Sequence, residues 1–590
     1  MENITIKING VEVSAPAGST ILEAARLAHI DIPTLCYLKE INEIGACRMC
    51  IVEVKGARSL VASCVYPINP GMEVWTNTPK VIESRKKTLE LLLSNHKKEC
   101  LSCVRSGNCE LQQLCKELGV EDQNYYDGEM TPAMIDTSAA HMVRDNSKCI
   151  LCRRCSAVCE KVQGIGVIGP NERGFKSYIG TAFNMDLADT SCVSCGQCIA
   201  VCPTGALHEK DNTDEIFAAI ADPDKYVVVQ TAPSVRAGLG EEFGYPMGTD
   251  VEGKMVAALR RLGFDKVFDT DFAADLTIME EAHEFLDRVQ NGGKLPLITS
   301  CSPGWIKYCE HYFPDMTENL SSCKSPQQMF GATLKTYFAE KMGIDPKKIV
   351  SVSVMPCTAK KFEIGRDDED AAGVPDVDIA ITTRELARMI KKVGLMFNEL
   401  PDEQFDNPMG ESTGAAVIFG ATGGVMEAAL RTVAEIVTGK ELPSLDFKEV
   451  RGISGIKEAE YDLNGRVVRV AVASGLANAK KLLTSVKNGE ANYDIIEIMA
   501  CPGGCINGGG QPIQPGSVRN FYELRELRAK ALYDQDKNMP LRKSHENPII
   551  KELYDTFLDE PGSHKAHQWL HTSYVARPKY PGAEADAAAK

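Results

Sequence analysis

The chain has 590 residues, which is too long for a single hydrophobic core, so several domains are expected. Apolar residues make up 44% and charged residues 25%, values that exclude a disordered or collagen-like chain. The net charge of −16 argues against a nucleic-acid-binding surface, and the absence of any uninterrupted run of about 18 apolar residues argues against direct membrane insertion.

The 22 cysteines are the unusual feature of the composition. Most of them lie in tight groups before position 203, and the amino terminus has neither the basic segment nor the long apolar run of a signal peptide. A cytoplasmic location is therefore predicted. In such a reducing compartment, clustered cysteines bind metal more often than they form disulfides.

Residues 1–80 show the pattern of a β-grasp domain. Isoleucines alternate over residues 4–8, Asn9-Gly10 predicts a hairpin turn, and Thr20 is placed to cap a helix over residues 21–28. This order of hairpin and helix resembles plant-type ferredoxins.

The predicted ligands of a [2Fe–2S] cluster form a Cys-x2-Cys pair flanked by two further cysteines: Cys36, Cys47, Cys50 and Cys64. The first gap is ten residues rather than four, and a zinc site of four cysteines is the alternative.

Residues 81–138 begin with a helical pattern over residues 81–93 and continue with a second group of candidate ligands. These have the order His-x3-Cys-x2-Cys-x5-Cys and are His96, Cys100, Cys103 and Cys109. They predict a [4Fe–4S] cluster with one imidazole ligand, which would alter the charge and the potential of the cluster. A zinc site is again the alternative. Cys115 matches no group and is predicted to be a buried thiol.

Residues 139–210 hold two cysteine runs with the spacing of two-cluster bacterial ferredoxins, and they have too few apolar residues for a core without metal. In this signature the fourth cysteine of each run binds the other cluster. One [4Fe–4S] cluster is therefore predicted on Cys149, Cys152, Cys155 and Cys202. The second is predicted on Cys159, Cys192, Cys195 and Cys198. Four clusters in one chain indicate electron transfer between the surface and a buried centre.

Residues 211–518 change to the longer apolar runs of an α/β domain. Residues 226–229 and 349–354 are predicted to be buried parallel strands, and residues 384–393 a covering helix. The acidic run at residues 367–370 is interpreted as a solvated loop.

Three loops in this region, at residues 299–305, 355–363 and 497–512, place thiols beside glycine, proline or methionine. This composition suits a buried metal site that the backbone approaches closely. The loops resemble the signature segments of [FeFe]-hydrogenases, and they follow ferredoxin-type modules in the order found in that family.

The resemblance covers about residues 1–575. It is to the catalytic subunit of multisubunit NAD(P)-linked hydrogenases, including electron-bifurcating ones, and to the monomeric clostridial enzymes. Residues 519–590 are similar to the fused small-subunit region that wraps the catalytic domain. The implied chain is a multidomain α/β protein divided into residues 1–80, 81–138, 139–210, 211–518 and 519–590.

The resemblance implies an H-cluster, which is a [4Fe–4S] cubane joined through a cysteine sulfur to a di-iron unit that carries CO, cyanide and azadithiolate. By position, Cys357, Cys501 and Cys505 match cubane ligands, with Cys505 as the bridge. Lys360 matches the lysine that donates to one cyanide. The other matched pocket residues are Ala232, Pro233, Ser234, Pro326, Met355, Phe419 and Met499.

The resemblance also implies a proton path. It would run from Cys301 through Glu281, Ser321 and Glu284 toward Arg288. Carboxylates that alternate with hydroxyl and thiol groups are chemically suited to relay protons.

The first of the three loops departs from its family at one position. The usual order is Thr-Ser-Cys-Cys-Pro, in which the first cysteine relays protons and the second binds the cubane, whereas this chain has Cys301 followed by Ser302. Either Ser302 binds iron as an alkoxide or leaves that corner weakly held, or the loop shifts and Cys301 becomes the ligand.

The function that the resemblance implies is reversible oxidation of H2 at the H-cluster, with one [2Fe–2S] and three [4Fe–4S] accessory clusters as the electron route. The implied partners are ferredoxin, a flavin-containing NAD(P)H-linked subunit and a [2Fe–2S] subunit, in a hetero-oligomer. No Gly-x-Gly-x-x-Gly follows a strand, so a separate subunit would bind the nucleotide. The alternatives are an H2 sensor, an iron–sulfur biogenesis protein, and a non-catalytic electron-transfer subunit like that of complex I.

Overall fold

The computed structural model describes residues 2–121 and 130–582. The predicted module of residues 81–138 and the predicted segment of residues 519–590 therefore each extend beyond the described residues. Within the described ranges, no helix is long and apolar enough to cross a membrane.

The amino-terminal domain is a five-stranded sheet packed on one helix. Its elements are β1 (Asn3–Ile8), β2 (Val11–Pro16), α1 (Ile21–Leu27), β3 (Ile51–Val54), β4 (Val61–Ala62) and β5 (Glu73–Trp75). The strand order is β2-β1-β5-β3-β4, with β1 parallel to β5. The predicted hairpin is confirmed, because β1 pairs antiparallel with β2 across Asn9 and Gly10, both of which have positive φ. Thr20 caps α1 in a reciprocal capping box with Glu23.

Short elements connect the cysteine groups that follow. They are α2 (Pro79–Ser94), α3 (Glu110–Leu118), β6 (Ile135–Asp136), β7 (Met142–Asp145), α4 (Arg154–Ala157), β8 (Gly169–Asn171), β9 (Tyr178–Gly180), α5 (Gln197–Ala200) and β10 (Leu207–Glu209). Leu89 and Leu93 of α2 pack on Leu111 and Leu114 of α3. In the two-cluster segment, the cysteines themselves join a small apolar core around Ile179.

The large domain contains two four-stranded sheets. The first has the order β12-β11-β14-β15 and is entirely parallel. Its strands are β11 (Tyr226–Thr231), β12 (Lys266–Asp269), β14 (Ile349–Met355) and β15 (Ile379–Thr382), which confirms the predicted buried strands. The second has the order β13-β18-β17-β16, and its strands are β13 (Leu297–Ile298), β16 (Ile456–Leu463), β17 (Arg466–Ser474) and β18 (Ile495–Met499).

Helices cover both sheets. They are α6 (Thr213–Ala221), α7 (Pro233–Arg236), α8 (Glu252–Leu262), α9 (Asp271–Asn291), α10 (Pro303–Tyr312), α11 (Pro326–Thr333), α12 (Ala339–Met342), α13 (Lys360–Glu363), α14 (Thr383–Lys392), α15 (Gly414–Val417), α16 (Gly424–Thr438), α17 (Leu476–Lys487) and α18 (Gly516–Arg519). The predicted helix over residues 384–393 corresponds to α14. Helices α7, α9, α10 and α13 each begin just beyond the carboxyl end of a strand, the usual place for a ligand site in such sheets.

The carboxyl-terminal segment wraps the large domain. It contains α19 (Leu524–Asn538), α20 (Pro548–Leu553) and α21 (His564–Leu570). Buried polar contacts hold it in place, including the ion pair of Arg431 with Asp536 and a hydrogen bond from Asn547 to Asp275.

The interpretation of residues 367–370 as a solvated loop is wrong at one position. Glu369 is only 6% exposed, and its carboxylate lies 3.6 Å from the Lys324 ammonium, which also pairs with Asp376. Charge pattern alone missed this contact because Lys324 lies 45 positions earlier in the chain. Burial raises the pKa of Glu369 to about 8.

Candidate active site and metal centres

The two-cluster segment gathers its thiols in the predicted crossed pairing. One small cavity is lined by Cys149, Cys152, Cys155 and Cys202. A second cavity is lined by Cys159, Cys192, Cys195 and Cys198. Four thiols around one enclosed space form a donor set that suits a [4Fe–4S] cluster.

The four amino-terminal cysteines also lie together. The Cys50 and Cys64 sulfurs are 3.3 Å apart, and Cys36 makes a hydrogen bond to Cys47. These contacts lower the pKa of Cys47 to about 6 and of Cys50 to about 7 and raise the pKa of their partners Cys36 and Cys64, so the thiolate that metals bind is favoured at one cysteine of each pair. The arrangement fits the predicted [2Fe–2S] site.

The predicted module with one histidine and three cysteines packs against the two-cluster segment. The His96 Nδ1 atom is buried without a hydrogen-bond partner among the described residues, and burial lowers the pKa of His96, so the neutral ligand form is favoured. The Cys109 thiol donates a hydrogen bond of 3.6 Å to the Pro203 carbonyl. Cys115 is partly exposed, not fully buried as predicted, because it lies near the surface of α3.

The large domain contains a mostly apolar cavity at the carboxyl ends of β11, β14 and β18. Its lining contains all of the pocket residues matched from the sequence, and it is completed by Cys301, Cys357, Lys360 and Cys505. The matched pocket residues in this lining are Ala232, Pro233, Ser234, Pro326, Met355, Phe419 and Met499. The polar residues Thr270, Asp271 and Gln327, which sequence reasoning missed, line the same cavity.

Cys501 does not line the cavity but interacts with Cys195 of the two-cluster segment. Burial, together with electrostatic repulsion from Cys357 and Cys505, raises the pKa of Cys501. Burial and repulsion from Cys501 likewise raise the pKa of Cys195. The three predicted cubane ligands therefore lie between the apolar cavity and the nearer accessory site.

Direct hydrogen bonds hold the loops that carry Cys357 and Cys505 against the two-cluster segment. The Thr358 hydroxyl donates to the Ser194 carbonyl at 2.7 Å, and the Gln197 amide donates to the Asn507 carbonyl at 2.9 Å. Gly196 has a φ of +66° and lies so close to Thr358 that a Cβ would be 2.3 Å from the threonine hydroxyl oxygen. Only glycine suits this position.

Cys301 and Ser302 point to different neighbours. Cys301 lines the apolar cavity, whereas Ser302 is not among its lining residues. Ser302 Oγ accepts a hydrogen bond of 3.2 Å from the Ala500 backbone amide, next to Cys501. This geometry matches the order expected without a loop shift, with Cys301 at the cavity and Ser302 beside the cubane ligands.

The groups of the predicted proton path lie near one another. Hydrogen bonds join Ser321, Glu284 and Arg288 directly, whereas one Glu281 carboxyl oxygen has no hydrogen-bond partner among the described residues. Burial and the Glu281 carboxylate raise the pKa of the Cys301 thiol well above its usual range. Glu281 interacts with Ser321, whose hydroxyl donates to Glu284 at 2.8 Å. Glu284 pairs with Arg288 at 2.6 Å. Burial and repulsion from Glu284 raise the pKa of Glu281 to about 7, which suits a group that gains and loses protons near neutrality.

The carboxyl-terminal segment holds this path in place, a contact that the sequence pattern did not reveal. The Tyr574 hydroxyl donates to the Ser321 carbonyl at 2.6 Å, and the Thr572 amide donates to the Ser322 carbonyl at 2.8 Å. The Ser322 hydroxyl and the His571 Nδ1 atom are 2.8 Å apart.

Lys360 is positioned by a buried network. Its ammonium contacts the Ser325 hydroxyl at 2.7 Å and the Glu363 carboxylate at 2.8 Å, and it donates to the Cys301 carbonyl at 3.3 Å. Glu363 also accepts from Ser325 and Gln327, each at 2.9 Å. The i,i+3 spacing of Lys360 and Glu363 was the only sequence signal for this pair.

Comparison with protein families matches each part of the chain. Residues 225–509 match the iron only hydrogenase large subunit, C-terminal domain, and residues 522–577 match the iron hydrogenase small subunit. Residues 1–79 match a 2Fe-2S iron-sulfur cluster binding domain, and residues 148–206 a 4Fe-4S dicluster domain. Residues 85–124 match the NADH-ubiquinone oxidoreductase-G iron-sulfur binding region.

Two relatives align with this chain over almost their whole length. The NADP-reducing hydrogenase subunit HndD of Solidesulfovibrio fructosivorans is 54% identical, over 98% of this chain and 100% of its own. Iron hydrogenase 1 of Clostridium pasteurianum is 43% identical, over 97% of this chain and 99% of its own.

A solved structure of an apo variant of the [FeFe]-hydrogenase HydA1 from Chlamydomonas reinhardtii is 45% identical, with a TM-score of 0.56. The match covers 62% of this chain and 100% of that chain. The enzyme therefore combines 2Fe-2S and 4Fe-4S binding domains with an H-cluster domain, and the chain belongs to the iron-only, or [FeFe], hydrogenase family.

Proposed function

We propose that this enzyme catalyses the reversible interconversion of H2 with two protons and two electrons. One observation carries the proposal: the apolar cavity is lined both by Cys301, which interacts with Glu281 of the predicted proton path, and by Cys357 and Cys505, which interact with Cys501. Cys501 in turn interacts with Cys195 of an accessory site. Protons and electrons thus have separate routes from one site. Anaerobic maturation followed by an H2-uptake assay with an artificial electron acceptor tests the proposal, and no uptake would contradict it.

The residues of the cavity suit an H-cluster. Cys357, Cys501 and Cys505 would hold the cubane, with Ser302 at the fourth corner. When bound, the di-iron unit supplies the site and the base for heterolytic cleavage of H2. The protein supplies an apolar lining, which excludes water. It also supplies Lys360 as a fixed cationic donor.

The proton route in this proposal uses side chains only. Cys301 exchanges a proton between the cavity and Glu281. The proton then passes through the Ser321 hydroxyl to Glu284 and leaves beside Arg288, whose side chain is 14% exposed. Each group gives up one proton as it accepts another, so no net charge accumulates along the buried part of the path.

The electron route branches at the accessory site of Cys149, Cys152, Cys155 and Cys202. Asn42 supports one branch, because its amide donates to the Cys36 carbonyl at 2.7 Å and to the Cys152 carbonyl at 3.0 Å. The contact of Cys109 with Pro203, next to Cys202, supports a second branch through the His96 module. The two branches would provide two docking sites for electron partners. One site would take ferredoxin, and the other a flavin-containing NAD(P)H-linked subunit with its [2Fe–2S] partner.

Replacing Cys64 with alanine is expected to remove the [2Fe–2S] cluster and nothing else. Two irons per chain and the corresponding reduced-state resonance should be lost, because a three-thiolate remnant binds this cluster weakly. H2 uptake with an artificial dye should persist through the other branch. Electron paramagnetic resonance and iron analysis provide the measurement. The Cys115→Ala variant is the control and should retain every cluster; loss of a [4Fe–4S] signal in Cys64→Ala would contradict the assignment.

Replacing Glu281 with glutamine should lower the rate of H2 evolution by about 10²-fold or more while every cluster remains, because an amide cannot relay a proton. The pKa of about 7 sets the pH dependence of the wild type. The carboxyl is mostly protonated below pH 7 and ionised above it, so the rate of H2 evolution should fall as the pH rises through 7.

The pH–rate profile of film electrochemistry provides the measurement for Glu281. Asp287→Asn, an exposed change on the same helix, is the matched control. A Glu281→Gln enzyme with a wild-type rate and profile would show that protons take another route.

A further inference from the structure

Asp271, the first residue of α9, is a buried carboxyl group that the proton and electron routes do not use. The residue has no solvent exposure, and neither carboxyl oxygen has a hydrogen-bond donor among the described residues. It lines the apolar cavity together with Cys301 and Lys360. An unpartnered carboxyl in an apolar wall is costly unless something placed in the cavity satisfies it.

The carboxyl groups around Asp271 outnumber the positive charges that could neutralise them. Its nearest cation is the Arg236 guanidinium, 3.4 Å from one carboxyl oxygen. Arg236 is already engaged by both oxygens of Asp269, at 2.7 and 2.8 Å, and by Glu252. One guanidinium therefore faces three carboxyl groups, two of them completely or almost completely buried.

The proton in this cluster belongs on Asp271. Buried carboxylates that share one cation cannot all remain ionised, so one of them holds a proton. Asp269 receives two hydrogen bonds from Arg236 and a third from the Asp271 backbone amide, all of which favour its anion. Asp271 receives none among the described residues, and burial with repulsion from Asp269 raises its pKa well above the usual range.

We propose that Asp271 is a protonated carboxylic acid whose O–H group donates a hydrogen bond to a small anionic acceptor held in the apolar cavity. This inference rests on the proposed function, in which the acceptor is a cyanide ligand of the di-iron unit. Such a donor would withdraw electron density from iron and complement Lys360, which reaches the cavity from α13 on another side. Asp271 is thus a second donor that tunes the electronic state of the bound centre.

Two substitutions separate donation from a structural role. Asp271→Asn keeps the shape and an N–H donor, whereas Asp271→Leu keeps the approximate volume and removes the donor. In matured protein, Asp271→Leu should move the cyanide and CO infrared bands to lower wavenumber, and Asp271→Asn should leave them near the wild-type positions. Asp287→Asn, the same acid-to-amide change at an exposed position of α9 that does not line the cavity, is the matched control and should leave the bands in place.

A second measurement detects the proton on Asp271 in protein that lacks the metal centre. Infrared spectra of the unmatured chain should contain a carboxylic-acid C=O band that shifts in D2O and is lost in Asp271→Asn. Absence of that band would overturn the proposal even if Asp271→Leu fails to fold. Equal band shifts in both variants, or no shift in either, would also overturn it. Failure of the proposed function has a different signature, because the wild type would then show no CO or cyanide bands.

Discussion

Replacing Cys301 with alanine is expected to lower the rate of H2 turnover by about 10²-fold or more, while the cubane iron is retained. Cys301 lines the cavity and interacts with Glu281, so its removal breaks the first step of the proton path. Ser302 remains beside Ala500 and Cys501, where the fourth corner of the cubane would lie. Turnover by gas chromatography and iron analysis of the purified protein provide the measurement.

Two further variants complete the Cys301 experiment. Cys309→Ala removes a buried thiol that does not line the cavity and should leave turnover and iron content unchanged. Ser302→Cys should keep turnover and alter the magnetic resonance of the cubane, because a thiolate would replace an oxygen ligand. If Cys301→Ala loses the cubane iron, then Cys301 is the ligand and the assignment of Ser302 is wrong.

Replacing Cys505 with alanine should abolish H2 turnover and the infrared bands of CO and cyanide together. Cys505 and Cys357 both line the cavity and interact with each other, and the family resemblance assigns Cys505 as the bridge between the two parts of the centre. Burial raises the pKa of the Cys505 thiol to about 12, so the thiolate forms only when metal replaces the proton.

The backbone of the loop around Cys505 packs closely against its neighbours. Gly504 has a φ of +97°, and a Cβ there would lie 2.6 Å from the Thr422 amide nitrogen. The backbone therefore approaches closely enough to aim Cys505 into the cavity. The accessory clusters should survive in Cys505→Ala, and Cys309→Ala, another buried thiol, is its control. Persistence of the CO and cyanide bands without Cys505 would exclude it as the bridge.

The accessory sites could be predicted from sequence because their ligands are local. The short spacing of Cys-x2-Cys-x2-Cys brings three thiols close together. The assignment of Cys159 and Cys202 each to the other run's cluster follows from the repeat. Two strands of the first sheet, β11 and β14, were equally predictable, since runs dominated by apolar β-branched residues indicate a strand buried on both faces. The family was predicted from the three loops and is confirmed by relatives that match nearly the whole chain.

The remaining features depend on contacts between distant parts of the chain. Glu369 and Lys324 pair across 45 positions, so composition suggested a solvated loop where a buried ion pair exists. The neighbours of Ser302 are set by β18 and its following loop, almost 200 positions away. Asp271 carries no motif, and only the crowding of Asp269 and Glu252 around Arg236 singles it out.

Infrared spectroscopy of the matured full-length protein tests the central claim most directly, together with H2 uptake on the same sample. Iron-bound CO and cyanide absorb in a spectral region that protein groups leave clear. We expect these bands together with dye-linked H2 uptake in the wild type. A sample with complete accessory clusters and full maturation that shows neither the bands nor H2 uptake would contradict it.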